Sequence, residues 1–259
     1  MTDHPRPGVV HVWRIPLDPP AAGPPAMPYD QDDVVGGLTA MPYYQDDVVA
    51  GLTALLDDRE RRRAAGFVDA GQRRRFVLAH GITRSILGGY LGVRPACLRW
   101  RLGACGKPEL AGSRLRVNLS HSGDLALLAV TESREIGVDV EQIRAGLPAV
   151  ALAERYYPPA EATRVLAASG PARVWWFLRL LTRKEACVKA AGARLLPALG
   201  LPVGSPPDPG GRGLLAGSGG RAGRWRVRDL PLTGDTVGAV ALSGTEDFQV
   251  LLRTWPNLY

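Results

Sequence analysis

The hydrophobic period of this chain switches from helical to extended twice, and that alternation restricts the fold more than any single residue does. From Gln72 to Leu91 the apolar residues Phe76, Ile82, Ile86, Leu87 and Tyr90 recur at roughly helical spacing, and Gly92 follows as a stop. The runs Leu115 to Leu119, Leu125 to Val130 and Ile136 to Val140 are short and apolar or alternating. Turn residues at Ser122-Gly123 and Glu132-Ser133-Arg134 divide them, which predicts antiparallel strands. Helical patterns return over about Leu147 to Tyr157, Pro159 to Ala168 and Ala172 to Ala191. Strand patterns follow near Trp225 to Val227, Val237 to Leu242 and Val250 to Trp255. Gly204 to Gly223, rich in Gly, Pro and Ser, reads as a loop that is in part disordered. Helix then strands, twice over, predicts an α+β fold of two halves joined near Glu132 to Glu135. The boundaries expected are an N-terminal segment 1–55, a first lobe 56–134 and a second lobe 135–259.

Composition narrows the class. A chain of 259 residues with 46% apolar residues has ample material for a core. The cysteines at 97, 105 and 187 have neither zinc-ligand spacing nor the density of a disulfide scaffold, so a reducing cytoplasm is the expected compartment. The sequence opens Met1-Thr2-Asp3-His4 without an export signal, and no apolar run approaches the ~20 residues that span a bilayer. A net charge of +7 and a pI near 9.7 suit phosphate-rich small molecules, nucleic acid or an acidic protein partner. The arginines at 59, 61, 62 and 63 and at 73, 74 and 75 lack the interleaved aromatics of a single-strand stacking platform, and no nucleic-acid motif accompanies them. They fit a solvated helix face or an anion-binding edge. No nucleic-acid or membrane partner is expected.

Three acidic residues in two short motifs carry the chemistry. In Gly137-Val138-Asp139-Val140-Glu141 strand alternation puts Asp139 and Glu141 on one face with the valines beneath. In Arg183-Lys184-Glu185-Ala186-Cys187-Val188-Lys189 a helix puts Glu185 and Lys189 on one face. The plain alternative for each is a solvated strand face and a surface ion pair worth only ~0.3–0.5 kcal/mol. Like charges on one strand face repel, however, and a hard divalent cation relieves that repulsion while keeping positions open for phosphate oxygens. The ammonium of Lys189 would neutralise the same phosphates. Ser120-His121 with Asp139 invites a hydrolase triad, but no Gly-x-Ser-x-Gly elbow surrounds Ser120, and that reading is set aside.

Upstream of the acidic pair stand Gly106-Lys107-Pro108 and Asn118-Leu119-Ser120-His121-Ser122. The four motifs in this order resemble the Sfp-type 4'-phosphopantetheinyl transferases, from about Leu56 to the C-terminal strands. The resemblance implies two similar lobes related by a pseudo-twofold, with coenzyme A as co-substrate in the cleft between them. It implies magnesium, with manganese as an alternative, on Asp139, Glu141 and Glu185. Ser120 and His121 would hold coenzyme A, Lys107 and Pro108 would meet its adenine end, and Arg84 its ribose 3'-phosphate. Lys184 and Lys189 would face phosphate, and Glu161 would be the base for an incoming serine. The partner implied is an apo acyl or peptidyl carrier protein of fatty-acid, polyketide or nonribosomal peptide assembly, and the length suits the monomeric branch. A degenerate module that binds coenzyme A without catalysis is the alternative. The chain departs from the family pattern at Leu181, where the family has tryptophan.

Met27 to Ala40 is repeated almost verbatim as Met41 to Ala54, differing only at Asp30/Tyr44 and Gly36/Ala50. One pair of copies is not a solenoid. The second copy leads into Leu55-Leu56, so Asp46 is expected to cap a helix carrying Val49, Leu52 and Leu56. The first copy holds Gly36-Gly37 and runs into Pro42, both poor for helix. It reads as an appended loop, and deletion of Met27 to Ala40 is expected to leave soluble, active protein in an expression and activity assay.

Overall fold

The computed structural model describes residues 4–18, 46–103, 106–132, 134–193, 198–204, 212–216 and 222–255. The first copy of the duplication therefore lies outside the described residues. The chain divides into two compact units, Pro16–Cys97 and Thr2–Ile15 with Leu98–Tyr259. The class is α+β.

Among its described residues the first unit is built from helices: α1 (Asp46–Leu55), α2 (Asp58–Ala65), α3 (Ala70–Leu91) and a 3-10 turn (Pro95–Cys97). Asp46 is the first described residue of α1 rather than a cap outside it. Val49 and Leu52 from that helix pack against buried Leu56, Ala64, Phe76 and Val77. Full burial of such side chains contributes about 1.5–3 kcal/mol each. Helix α3 starts two residues before the sequence pattern suggests, because the Asp69 carboxylate accepts the Gln72 N–H at 2.7 Å. It stops at Gly92, whose φ of 63° is cheap for glycine. At the start of α2 the Asp57 carboxylate accepts the Glu60 N–H and the Glu60 carboxylate accepts the Asp57 N–H, at 2.9 and 3.0 Å. That reciprocal box satisfies two donors the helix leaves open.

The second unit holds the sheets. Its strands are β1 (Val9–Pro16), β2 (Trp100–Leu102), β3 (Pro108–Leu110), β4 (Leu115–Ser122), β5 (Leu125–Glu132), β6 (Ile136–Gln142), β7 (Arg212–Ala216), β8 (Ala222–Asp229), β9 (Thr236–Ser243) and β10 (Gln249–Thr254). Pro16, the last residue of β1, falls in the other unit. One sheet runs β10-β1-β5-β4, another β6-β9-β8-β7, and β2-β3 forms a hairpin. The strand patterns at 115–140 do give antiparallel strands, but they divide between two sheets: β4 pairs with β5, and β6 with β9. Residues of β1 and β5 meet residues of β6 and β9 in one core, through Val10, Val12, Leu127, Ala129, Val138, Val140 and Val240. On the other side, helices α4 (Ala149–Tyr156), α5 (Pro159–Ala167) and α6 (Gly170–Ala191) cover β8 and β9 through Ala153, Val165, Phe177, Leu180, Ala186, Val227 and Ala239. Leu181 packs half-buried against that core.

Two readings of the sequence are corrected. The Gly-rich stretch at 204–223 contains a strand, β7, which pairs antiparallel with β8. Its composition argues for loop, and cross-strand pairing overrides that local preference. The N-terminal segment contains β1, which pairs in parallel with β10 and sits inside a four-stranded sheet. The run Val9-Val10-His11-Val12-Trp13 carries the β-branched signal that would have found it.

Helix α6 reaches β6 more closely than side chains would permit. A Cβ placed on Gly137 would lie 2.0 Å from the Ala186 carbonyl oxygen and 2.4 Å from the Ala190 nitrogen. Both obstacles are backbone, so neither can step aside. Gly137→Ala is expected to cost at least about 1–3 kcal/mol, the usual cost of overpacking, and to lower the thermal midpoint. An unchanged midpoint in calorimetry would show that α6 can move off β6 freely.

Candidate active site

The face of β6 that carries Gly137 also carries Asp139 and Glu141, and it looks toward α6. Glu185 and Lys189, one turn apart on α6, therefore come to the same place. One carboxylate oxygen from each of Asp139, Glu141 and Glu185 lies within 4.8 Å of the others. The Lys189 ammonium bonds the Asp139 Oδ1 at 2.5 Å and stands 3.7 Å from Glu185. It also donates to the Ser120 hydroxyl at 2.8 Å, and Ser120 in turn donates to the Asp139 Oδ1 at 2.8 Å. Asp139 is 2% exposed and its second oxygen, Oδ2, is buried without a hydrogen-bond partner.

These surroundings favour the neutral acids. Burial raises the Asp139 carboxyl above its ordinary range despite the opposing pull of Lys189 and Ser120. Burial, and then the charge of Asp139, pushes Glu185 up to about 7. An orphaned buried carboxylate oxygen beside two further carboxylates, with hard oxygen donors throughout, fits a small divalent cation. Asp139, Glu141 and Glu185 are the residues that would hold it. Cys187, between Glu185 and Lys189 in sequence, is no part of this chemistry: burial pushes its thiol up to about 12.

The remaining residues singled out in the sequence go to other places. His121 is exposed on β4, between the inward-turned Ser120 and Ser122. Pro108 opens β3, next to the turn that holds Lys107. The Lys107 ammonium makes three bonds, to the Glu135 carboxylate at 2.8 Å, the Ile136 carbonyl at 3.0 Å and the Ala190 carbonyl at 3.1 Å. It thus satisfies a carbonyl that the end of α6 leaves open and ties that end to the start of β6. An ammonium has three donors, so none remains for a ligand in this arrangement. Lys184 is 1% exposed, paired with Glu161 at 2.6 Å and bonded to the Leu201 carbonyl, with its ammonium over the Tyr157 ring. Glu161, 4% exposed, also accepts the Val203 N–H at 2.6 Å. It is not a member of the acidic cluster. Arg84 is fully buried in the helical unit, bonded to Glu60 at 2.6 Å, Asp57 at 2.8 Å and the Pro95 carbonyl at 3.2 Å. Arg84 and Lys184, both expected to meet phosphate, have structural partners within the fold. Asn118 and Ser122, quoted in the motif around Ser120 but given no role from sequence, reach from β4 to β6; their period-two spacing around Ser120 was the available signal.

Comparison with known proteins shows the family. Residues 135–241, which span β6 through most of β9 and include all three carboxylates, match the model of the 4'-phosphopantetheinyl transferase superfamily. Over 187 residues the chain is 37% identical to the 4'-phosphopantetheinyl transferase HetI of Nostoc sp., covering 71% of this chain and 68% of that protein. The chain belongs to the 4'-phosphopantetheinyl transferase superfamily. A putative 4'-phosphopantetheinyl transferase of Synechocystis sp. is 28% identical over 213 residues, covering 79% of this chain and 86% of that protein. The 4'-phosphopantetheinyl transferase of Bacillus subtilis is 30% identical over 132 residues, covering 47% and 58%. No helix among the described residues is long and apolar enough to cross a membrane.

The Arg84 cluster yields a pH test. Burial alone would raise the Glu60 carboxyl, but bonds from His80 and the Asp57 N–H, with the charge of Arg84, bring it below the ordinary 4.5. A lowered carboxylate contributes stability above its unfolded value and loses it as pH falls through the folded one. Glu60→Gln is expected to destabilise by roughly 1–3 kcal/mol at pH 7. The gap between variant and wild type should narrow below pH ~4.5 in a series of thermal melts, as Glu60 protonates.

Proposed function

We propose that the protein transfers the 4'-phosphopantetheine arm of coenzyme A to a serine hydroxyl of an acyl or peptidyl carrier protein, releasing adenosine 3',5'-bisphosphate. The observation that carries the reading is the buried, unpartnered Oδ2 of Asp139 within the cluster of Asp139, Glu141 and Glu185. Those three residues would hold magnesium, with manganese as the alternative. What the cation supplies when bound is positive charge against the pyrophosphate oxygens, including the charge that grows on the leaving group.

The chain's own residues do the rest. Lys189 sits at the rim of the cluster with its side chain 29% exposed, so its ammonium can donate to a phosphate oxygen. His121 is the second donor proposed for an anionic group, from the exposed side of β4. Glu161 is poorly placed to accept the serine proton, because its carboxylate is buried and held by Lys184 and the Val203 N–H. Its better-supported role is to anchor Leu201 to Val203 against α6. The +7 net charge suits docking of an acidic partner, where opposite potentials speed encounter.

The test is the intact mass of an apo carrier protein incubated with this protein, coenzyme A and magnesium. A gain of about 340 Da, absent with EDTA, is the expected result for a metal-dependent transfer. Asp139→Asn and Glu185→Gln should each lower the rate at least about 100-fold while far-UV circular dichroism stays native. Coenzyme A binding without any mass gain across several carriers would instead mean a non-catalytic module.

A further inference from the structure

Strands β4 and β6 are each the last strand of their own sheet, and they lie side by side without a main-chain ladder between them. An unpaired strand edge leaves N–H groups to be satisfied by other means. On β6 the residues that alternate with the carboxylates turn their N–H groups toward β4. The Asn118 Oδ1 accepts the Val138 N–H at 2.8 Å, and the Ser122 hydroxyl accepts the Gln142 N–H at 3.1 Å. Ser122 also donates to the Glu141 Oε2 at 2.9 Å. Val138 immediately precedes Asp139, and Gln142 immediately follows Glu141. The two contacts therefore bracket the acidic pair, with Ser120 on Asp139 between them.

We infer that Asn118 and Ser122 are positioning residues for the carboxylate site, fixing the edge of β6 from outside its sheet and so setting where Asp139 and Glu141 stand. The inference rests on the reading of those carboxylates as cation ligands. Its physical basis is geometric. A ladder strand would have bonded this edge of β6 through its backbone, whereas here the side chains of Asn118 and Ser122 hold the backbone at both ends of the acidic pair. The hydroxyl of Ser122 does two things at once: it accepts from the main chain and orients one carboxylate oxygen. Removing such an outer contact commonly lowers metal affinity about 10–100-fold.

The experiment is a titration of the full-length protein with Mn2+, read by electron paramagnetic resonance of the free ion, on the wild type, Ser122→Ala, Asn118→Ala, Ser122→Thr and Asp139→Asn. The two alanine variants are expected to bind Mn2+ about tenfold more weakly than wild type. Ser122→Thr, which keeps the hydroxyl, is expected to stay within about threefold of it. Alanine variants that melt at lower temperature but bind Mn2+ as tightly as wild type would overturn the inference and leave these residues a purely structural part. Asn118→Ala keeps the test open should Ser122→Ala fail to fold. Wild-type affinity matched by Asp139→Asn would overturn the cation reading itself, a result distinct from equal binding by the alanine variants alone.

Discussion

Three carboxylates brought within 4.8 Å of one another, with one of them 2% exposed, repel each other in surroundings that solvate charge poorly. Everything around them resists that repulsion. Gly137 lets the α6 backbone come down onto β6, which brings Glu185 and Lys189 opposite Asp139. Lys107 clamps the far end of α6 to Ile136, one residue before that glycine. Side chains of β4 hold the other edge of β6. The site is thus a junction of two sheets and a helix, and each contact that builds it lies within the larger compact unit.

The cations of the chain divide by what their donors meet. Arg84, Lys107 and Lys184 face carboxylates or main-chain carbonyls that the fold itself supplies; Arg84 and Lys184 are deeply buried, and the Lys107 side chain is 8% exposed. Removing one partner of such a pair leaves a buried charge uncompensated, which is costly. Lys189 differs because its partners are the acidic cluster and Ser120, and part of its side chain reaches solvent. Some basic residues singled out in the sequence serve as counterion or donor to a capping box or a helix end.

Local patterns were legible and long-range partners were not. The span of α3, the Asp139/Glu141 face and the Glu185/Lys189 face all follow from period and spacing, since each depends on neighbours within one element. The partners of Arg84 and Lys184 lie 11 to 27 positions away, beyond the neighbours within one element. The same holds for β7: Gly213 argues against a strand until β8 is beside it. Asn118, Ser120 and Ser122 show the boundary between the two cases. Their alternation was visible, but that β4 would lie along β6 rather than pair with it was not.

Charge balance carries the site one step further. If Asp139, Glu141 and Glu185 all ionise, the Lys189 ammonium and the more exposed Arg144 guanidinium, 4.0 Å from Glu141, do not balance the three charges. Burial first, and then the neighbouring carboxylate charge, pushes Glu185 up to about 7 and raises Asp139, so the surroundings favour the neutral acids. On the proposed reading, a divalent ion at the three carboxylates would supply the missing positive charge and leave Lys189 with less demand from Asp139, and so freer to meet a phosphate oxygen.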